Sequence, residues 1–371
     1  MYLILLLCIS VHACYIGSKV VVTLLAVNLG ASPATIGVLA ACYGVAPLLL
    51  GVHSGRLSDS AGTRPPMIAG AVMTAAAMLC GYFFQTIASL MVVAVLMGMG
   101  FVYYNVAVQN YTGTHGDSAH RARNFSWLSM SYSVSAFIGP VFAGYAIDYS
   151  GHGAAFLGFA LFSAVPLVTL ALNRAFGAFP GRPANASQQS TYDLLRTPPI
   201  RRVVIMSGLM VSVWELYIFY MPLHGHSIGL SASTIGIVLG IYAVAALTVR
   251  FLLPIILRYT TTLRLVSVAM IGAAVVFVAL PWIRQVALLM AASFTIGLLL
   301  GICQPVMMML AFERSPAGRT GEVTGLRLIS NNVARIVVPL IGGALGAAFG
   351  AAPVFWMNAV SLAAISWLAR R

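Results

Sequence analysis

The chain has 371 residues, 60% of them hydrophobic and only 7% charged, with 20 basic against 7 acidic side chains and a mean hydropathy of +0.96. Soluble globular proteins carry about a quarter charged residues, so a cytosolic enzyme and a nucleic-acid-binding domain are both excluded. The net charge of +13 sits in short loops between apolar runs, which is the pattern of membrane topology and not of a polyanion partner.

A helix needs about 20 apolar residues to cross the hydrocarbon core. Apolar runs between polar punctuation predict twelve spans, near 2–27, 33–54, 66–84, 88–110, 125–147, 153–173, 203–224, 232–256, 264–282, 286–311, 324–348 and 352–369. Residues 1–14 imitate a lipoprotein cleavage site at Cys14, but they lack a basic start and the apolar run continues past it, so a first transmembrane helix is expected. The one long polar stretch is rich in Pro, Ser, Gln and Arg and reads as a linker, with a short surface helix at Tyr192–Arg196. The expected class is an all-α membrane protein: twelve transmembrane helices in two pseudo-symmetric six-helix bundles, 1–175 and 202–371, joined by a cytoplasmic linker at 176–201.

Orientation follows from the basic residues of short loops. Arg56, Arg64, Arg121, Arg123, Arg174, Arg182, Arg196, Arg201, Arg202, Arg258, Arg264, Arg314, Arg319, Arg370 and Arg371 fall on one side, and the opposite loops offer only Arg284. Both termini are therefore expected in the cytoplasm, in a multi-pass protein of the inner (plasma) membrane.

Sliding the chain by 199 positions brings Thr35-Ile36-Gly37 onto Thr234-Ile235-Gly236, and Gly30, Tyr43, Gly98, Pro140, Gly144, Gly151 and Phe156 onto Gly229, Tyr242, Gly297, Pro339, Gly343, Gly350 and Phe355. One offset serving both ends of each half indicates an internal repeat. Six spans per half is an even number, so the repeat is parallel, an arrangement of transporters that rock two halves about a midplane site.

Between spans 2 and 3 the chain reads Gly55-Arg56-Leu57-Ser58-Asp59-Ser60-Ala61-Gly62-Thr63-Arg64-Pro65. This resembles the signature loop of the major facilitator superfamily, G-x-L-x-D-R-x-G-R-R/K, with Ser60 and Thr63 replacing two basic positions. With the twelve spans, the repeat and the linker, the resemblance covers the whole chain and implies the major facilitator fold. It also implies a latch built on Gly55, Arg56, Asp59, Gly62 and Arg64, with Asp59 facing the positive start of span 11 near Thr324–Gly325. Gly55 would permit close helix approach and Gly62 the tight turn. Span 5 carries Gly139-Pro140-Val141-Phe142-Ala143-Gly144, similar to the Gly-Pro signature of drug:proton antiporters, and span 11 repeats the theme with Pro339 and Gly343. These are helix-packing candidates. The membrane arginine of that branch is missing from Val93–Gly100.

An ionisable residue inside a span is a functional-site hypothesis by default. Lys19, Glu215 and Arg335 lie well inside spans 1, 7 and 11. The resemblance places spans 1, 4, 7 and 10 around a central cavity, where Lys19 and Glu215 either pair, or divide substrate contact and proton carriage between them. A structural ion pair of Glu215 with Lys19 or Arg335 is the other reading. Arg335, with Asn331 one turn earlier, meets either an anionic group or helix-end carbonyls. The repeat mates Asn105 and Gln304, with Gln109, Tyr103 and Tyr104 nearby, are either neutral substrate contacts or interhelical hydrogen bonders, and Trp214 and Tyr217 lie beside Glu215 in sequence. Cys8, Cys14, Cys42, Cys80 and Cys303 lack metal-ligand spacing and read as core residues. Met206, Met210 and Met307–Met309 read as packing before Cu(I) ligation, and His224 and His226 as outer-loop residues.

The chain is therefore expected to be a secondary active transporter, not an enzyme, moving a small organic solute by alternating access. Proton-coupled efflux is favoured by the span 5 signature. The alternative is an importer of a small carboxylate or zwitterion, with metal transport behind both. Expected partners are the solute, a proton or exchanged solute and the bilayer, with no nucleic acid, cofactor or metal, and the chain acting as a monomer.

Overall fold

The computed structural model describes residues 2–114, 118–173, 191–316 and 319–370; a few side chains inside these ranges, Asp59 and Gln304 among them, are outside the description. The described residues are helical almost throughout, as they must be where no water is available to satisfy the backbone. Span 1 is Tyr2–Asn28, span 2 Pro33–Ala61, span 3 Arg64–Phe83 and span 4 Ile87–Thr114. One continuous element, Ser118–Leu172, contains spans 5 and 6, divided where Gly151 takes φ 82°. Span 7 is Pro198–Ser227, span 8 Ala232–Ile256 and span 9 Thr262–Ala279, ending in a 3-10 turn at Leu280–Trp282. Span 10 consists of Val286–Gly301 and Cys303–Glu313, and spans 11 and 12 are Thr320–Phe349 and Ala352–Arg370. Among the described residues eleven stretches are long and apolar enough to cross a membrane, and one of these, Arg123–Leu172, has 50 residues and so has the length of two crossings. The surface helix expected in the linker is a 3-10 helix at Thr191–Arg196; linker residues 174–190 lie outside the described residues.

The 199-residue repeat reappears in the backbone. Positive φ occurs only at glycines among the described residues: Gly30 and Gly229 at 75° and 80°, Gly151 and Gly350 at 82° and 83°, and Gly62 at 82°. The first four are two repeat pairs at helix-to-helix turns. Gly62 has no such mate, because the corresponding residue is Thr261, extended at φ −80° and ψ 149°. Spans 2 and 8, which follow the Gly30 and Gly229 turns, are capped alike. Ser32 Oγ accepts the Thr35 N–H at 3.2 Å, and Ser231 Oγ accepts the Thr234 N–H at 3.2 Å.

Two compact units divide the chain: Met1–Ala31, Cys42–Asn185 and Gly225–Gly240 in the first, and Ser32–Ala41, Ala186–His224 and Ile241–Arg371 in the second. Each therefore includes the leading end of one span from the other repeat. Inside the first unit, the start of span 8 crosses span 5. A Cβ on Gly144 would strike the Ala232 carbonyl, and one on Gly236 the Pro140 carbonyl. Inside the second unit the start of span 2 crosses span 11, where a Cβ on Gly37 would lie 2.5 Å from the Pro339 carbonyl oxygen and one on Gly343 3.0 Å from Gly37 Cα. Gly139 seals span 5 to span 1, since its Cβ would sit 2.6 Å from the Ala13 carbonyl oxygen. Gly139, Pro140, Gly144, Pro339 and Gly343 thus lie at backbone-to-backbone contacts, which only small residues allow.

Candidate functional site

Each unit holds one aromatic frame, and the two are repeat copies. In the first, Tyr15 of span 1 meets Tyr43 of span 2 edge to face at 5.8 Å. Gly98 of span 4 lets the Tyr43 carbonyl approach, its Cβ falling 2.6 Å from that oxygen. In the second, Trp214 of span 7 lies 4.7 Å from Tyr242 of span 8, and Gly297 of span 10 admits the Tyr242 carbonyl in the same way. Shifting by 199 carries Tyr15 to Trp214, Tyr43 to Tyr242 and Gly98 to Gly297. The frame is therefore inherited twice, and the charges on it are not: Lys19 has Ile218 as its mate, Glu215 has Ile16, and Arg335 has Ala136.

Lys19 is fully buried, with Nζ 4.5 Å from the Tyr15 ring centroid and 5.6 Å from that of Tyr43, a cation–π setting that offsets part of its desolvation. Tyr15 also stacks on Phe101 at 4.0 Å, and the Tyr43 hydroxyl donates to Ser18 Oγ at 3.0 Å. One turn away, the His12 ring packs 4.8 Å from Tyr132 and 5.7 Å from Phe101. The Tyr132 hydroxyl donates to Asn105 Oδ1 and also hydrogen-bonds Gln109. Asn105 and Gln109 are thus joined through a span 5 tyrosine that sequence reasoning did not single out. Tyr104 is placed differently: it packs in an apolar cluster with Met67, Ala71, Ala107 and Val108 and is 2% exposed. It is a core residue here.

In the second unit Glu215 is 3% exposed, and Arg335 Nε donates to its Oε1 at 3.1 Å. Arg335 also reaches Asn332 Oδ1 at 3.5 Å. Of the partners open to Glu215 and Arg335 from the sequence, the structure selects each other. Asn331, oriented by its hydrogen-bond network, donates to the carbonyls of Ser207 and Arg327 at 3.1 Å and so ties span 11 to span 7. Tyr217 shares a hydrogen bond between its hydroxyl and that of Ser293 and lies 5.4 Å from Tyr242. The Tyr43/Tyr242 identity across the repeat is the sequence signal for these frames.

In the signature loop, Gly62 makes the positive-φ turn expected of it. A Cβ on Gly55 would meet no described atom within 4 Å. Arg56 is exposed. Arg64 holds the end of span 6, donating from Nε to the Leu170 carbonyl at 2.9 Å and from a terminal nitrogen to the Ala171 carbonyl at 3.1 Å. A cation on the last helical carbonyls stabilises by about 0.3–1 kcal/mol, so Arg64→Ala is expected to lower the denaturation midpoint in detergent by about a degree, read by following unfolding with heating. The Asp59 and Gln304 side chains lie outside the described residues.

His224 corrects the loop expectation. It lies within the span 7 helix, 5% exposed, its Nε2 3.4 Å from the Ile283 carbonyl and its ring 5.6 Å from Phe355. Among the described residues no three His, Cys, Asp or Glu side chains gather to hold a metal.

A twofold-repeated bundle of membrane-length helices, with Lys19 and Glu215 buried inside its spans, has the build of a membrane transporter. The Major Facilitator Superfamily model matches residues 4–339, and the chain belongs to that family of secondary transporters. It is 22% identical over 369 residues to the quinolone resistance protein NorA of Staphylococcus aureus (strain MRSA252), covering 96% of this chain and 93% of NorA. Among solved structures it is similar in fold to a mutant of the peptide transporter POT, with TM-score 0.82, 14% identity and coverage of 99% and 93% of the two chains. The nucleoside transporter NupG is also similar, with TM-score 0.75, 15% identity and coverage of 99% and 98%.

Proposed function

We propose that the protein exports a small organic solute across the plasma membrane by alternating access, driven by inward proton movement. The reading takes both termini as cytoplasmic, the bundles as 1–175 and 202–371, and the working unit as a monomer. The observation that carries it is Glu215: a buried carboxylate, tied to Arg335 at 3.1 Å, on a helix face whose repeat mate is Ile16. An ion pair added to one copy of a symmetric frame gives a group whose protonation frees a guanidinium, and that is a two-state element a proton gradient can bias. The efflux direction is supported by the Gly-Pro crossing of span 5 and by the likeness to NorA, whose name makes quinolones one class to test.

The second reading is import of a small carboxylate or zwitterion. Lys19, buried against the Tyr15 and Tyr43 rings, favours it as a site for an anionic group. Purified protein in liposomes with an imposed pH gradient separates the two. Efflux predicts quinolone or other amphipathic-solute movement against the proton gradient, abolished when the gradient is collapsed. Import predicts gradient-driven carboxylate uptake that Lys19→Gln removes. Solute movement that ignores the gradient would sink the proton coupling in both.

A further inference from the structure

The leading turns of spans 2 and 8 are repeat copies with matching serine caps, yet their first two backbone N–H groups are handled differently. Span 2 begins with Pro33, which has no N–H to satisfy. Span 8 has Ala232 at that position, and both its N–H and that of Ser233 are bound by Asp148, to Oδ1 at 3.0 Å and to Oδ2 at 2.7 Å. Asp148 stands at the far end of span 5, just before the Gly151 turn, and its repeat mate is Ala347. With Ser231 Oγ on the Thr234 N–H and the Ser231 carbonyl on the Ile235 N–H at 3.1 Å, every amide of the first turn is then occupied. The two amides thus hold both carboxylate oxygens of Asp148 at once. Beneath it lies the tight crossing of Gly144 on Ala232 and Gly236 on Pro140.

Span 5 belongs to the first repeat and span 8 to the second. We infer that Asp148 is a one-sided outer latch, a carboxylate on span 5 that clamps the bare start of span 8 and must let go each time the outer face opens. Resting on the alternating-access reading above, it places a bistable electrostatic contact on the face opposite the signature loop. Across the pseudo-twofold, no such clamp is seen among the described residues: Pro33 offers no donor in place of Ala232, and Ala347 no side-chain acceptor in place of Asp148. The Tyr220 hydroxyl, 3.5 Å from the Pro33 carbonyl, and the Pro33 ring over Gly346 pack that crossing instead. The outer gate therefore has one charged, releasable side and one apolar side.

The test is the distance between spin labels at Tyr149→Cys and Ser227→Cys, two exposed positions on the two corners, with the five native cysteines replaced by alanine. Asp148→Asn removes the charge and one acceptor. Ala232→Pro removes one donor at a first helical position where proline is well tolerated. Each is expected to enlarge the long-distance, outer-open population roughly three- to tenfold, the range of a lost helix cap. The double variant is expected to exceed neither single one by more than a small factor, since both break the same contact, and Asp148→Glu is expected to keep the short distance. Unchanged distances in both variants, or a fall in denaturation midpoint with no change in distance, would overturn the latch. Because the measurement needs no solute, its failure is distinguishable from a failure of the transport reading.

Discussion

Glu215→Gln is expected to give a transporter that still exchanges solute for solute but whose net transport no longer responds to pH. Glutamine keeps the shape and one acceptor for Arg335 Nε but cannot take up or release a proton. Exchange, which needs no net proton movement, therefore survives, whereas gradient-driven transport does not. Stability should fall as well. Removing one partner of a buried ion pair costs about 3–5 kcal/mol, because the other charge is left unsatisfied. Arg335, at 25% side-chain exposure, has some access to relief, so the lower end of that range is expected. The double variant Glu215→Gln/Arg335→Gln should recover part of the loss, as the two residues form one unit. A pair with only a structural role would give the same destabilisation, but the residual transport would keep its original pH profile. Counterflow and pH-jump assays on one liposome preparation read the two outcomes side by side.

The second large effect is expected at Gly37. A side chain there meets backbone on the opposite helix, 2.5 Å from the Pro339 oxygen and 2.8 Å from Gly343 Cα, and neither helix has a flexible atom to move aside. Gly37→Val should force spans 2 and 11 apart. Overpacking of this kind costs typically 1–3 kcal/mol, and transport should fall to background because the crossing cannot re-form. Gly51→Ala, in the same helix but with nothing within 4 Å of its added Cβ, is the control. It is expected to stay within about 0.5 kcal/mol of the parent, or to gain slightly from helix propensity. Equal loss in both variants would show that general helix perturbation, and not the crossing, is responsible. The denaturation midpoint and solute uptake measure both.

Much of the architecture was legible because membrane helices are determined locally. A run of about 20 apolar residues must form a helix once its backbone has no water to bond. Glycines at 30, 151, 229 and 350 recur at one offset because a left-handed turn tolerates little else. Spans, repeat and turn glycines follow from such short-range rules, and so does the loss of repeat symmetry at Gly62, where the second copy carries Thr261. The side-chain partners do not.

Three charges inside spans were identifiable from the sequence as exceptional, but Glu215 and Arg335 are 120 residues apart, and only packing decides that span 11 presents its guanidinium to span 7. Tertiary packing likewise sets Tyr104 in an apolar cluster with Met67 and Ala71 and joins Asn105 to Gln109 through Tyr132. It draws His224 inside the end of a helix, and it brings Asp148 to amides more than 80 positions away. Composition and periodicity thus determined where the chain crosses the bilayer and where its two copies turn, since those outcomes depend on a few neighbouring residues. Which charge meets which, and so where a proton or a latch can act, was decided by the three-dimensional packing of helices from distant parts of the chain.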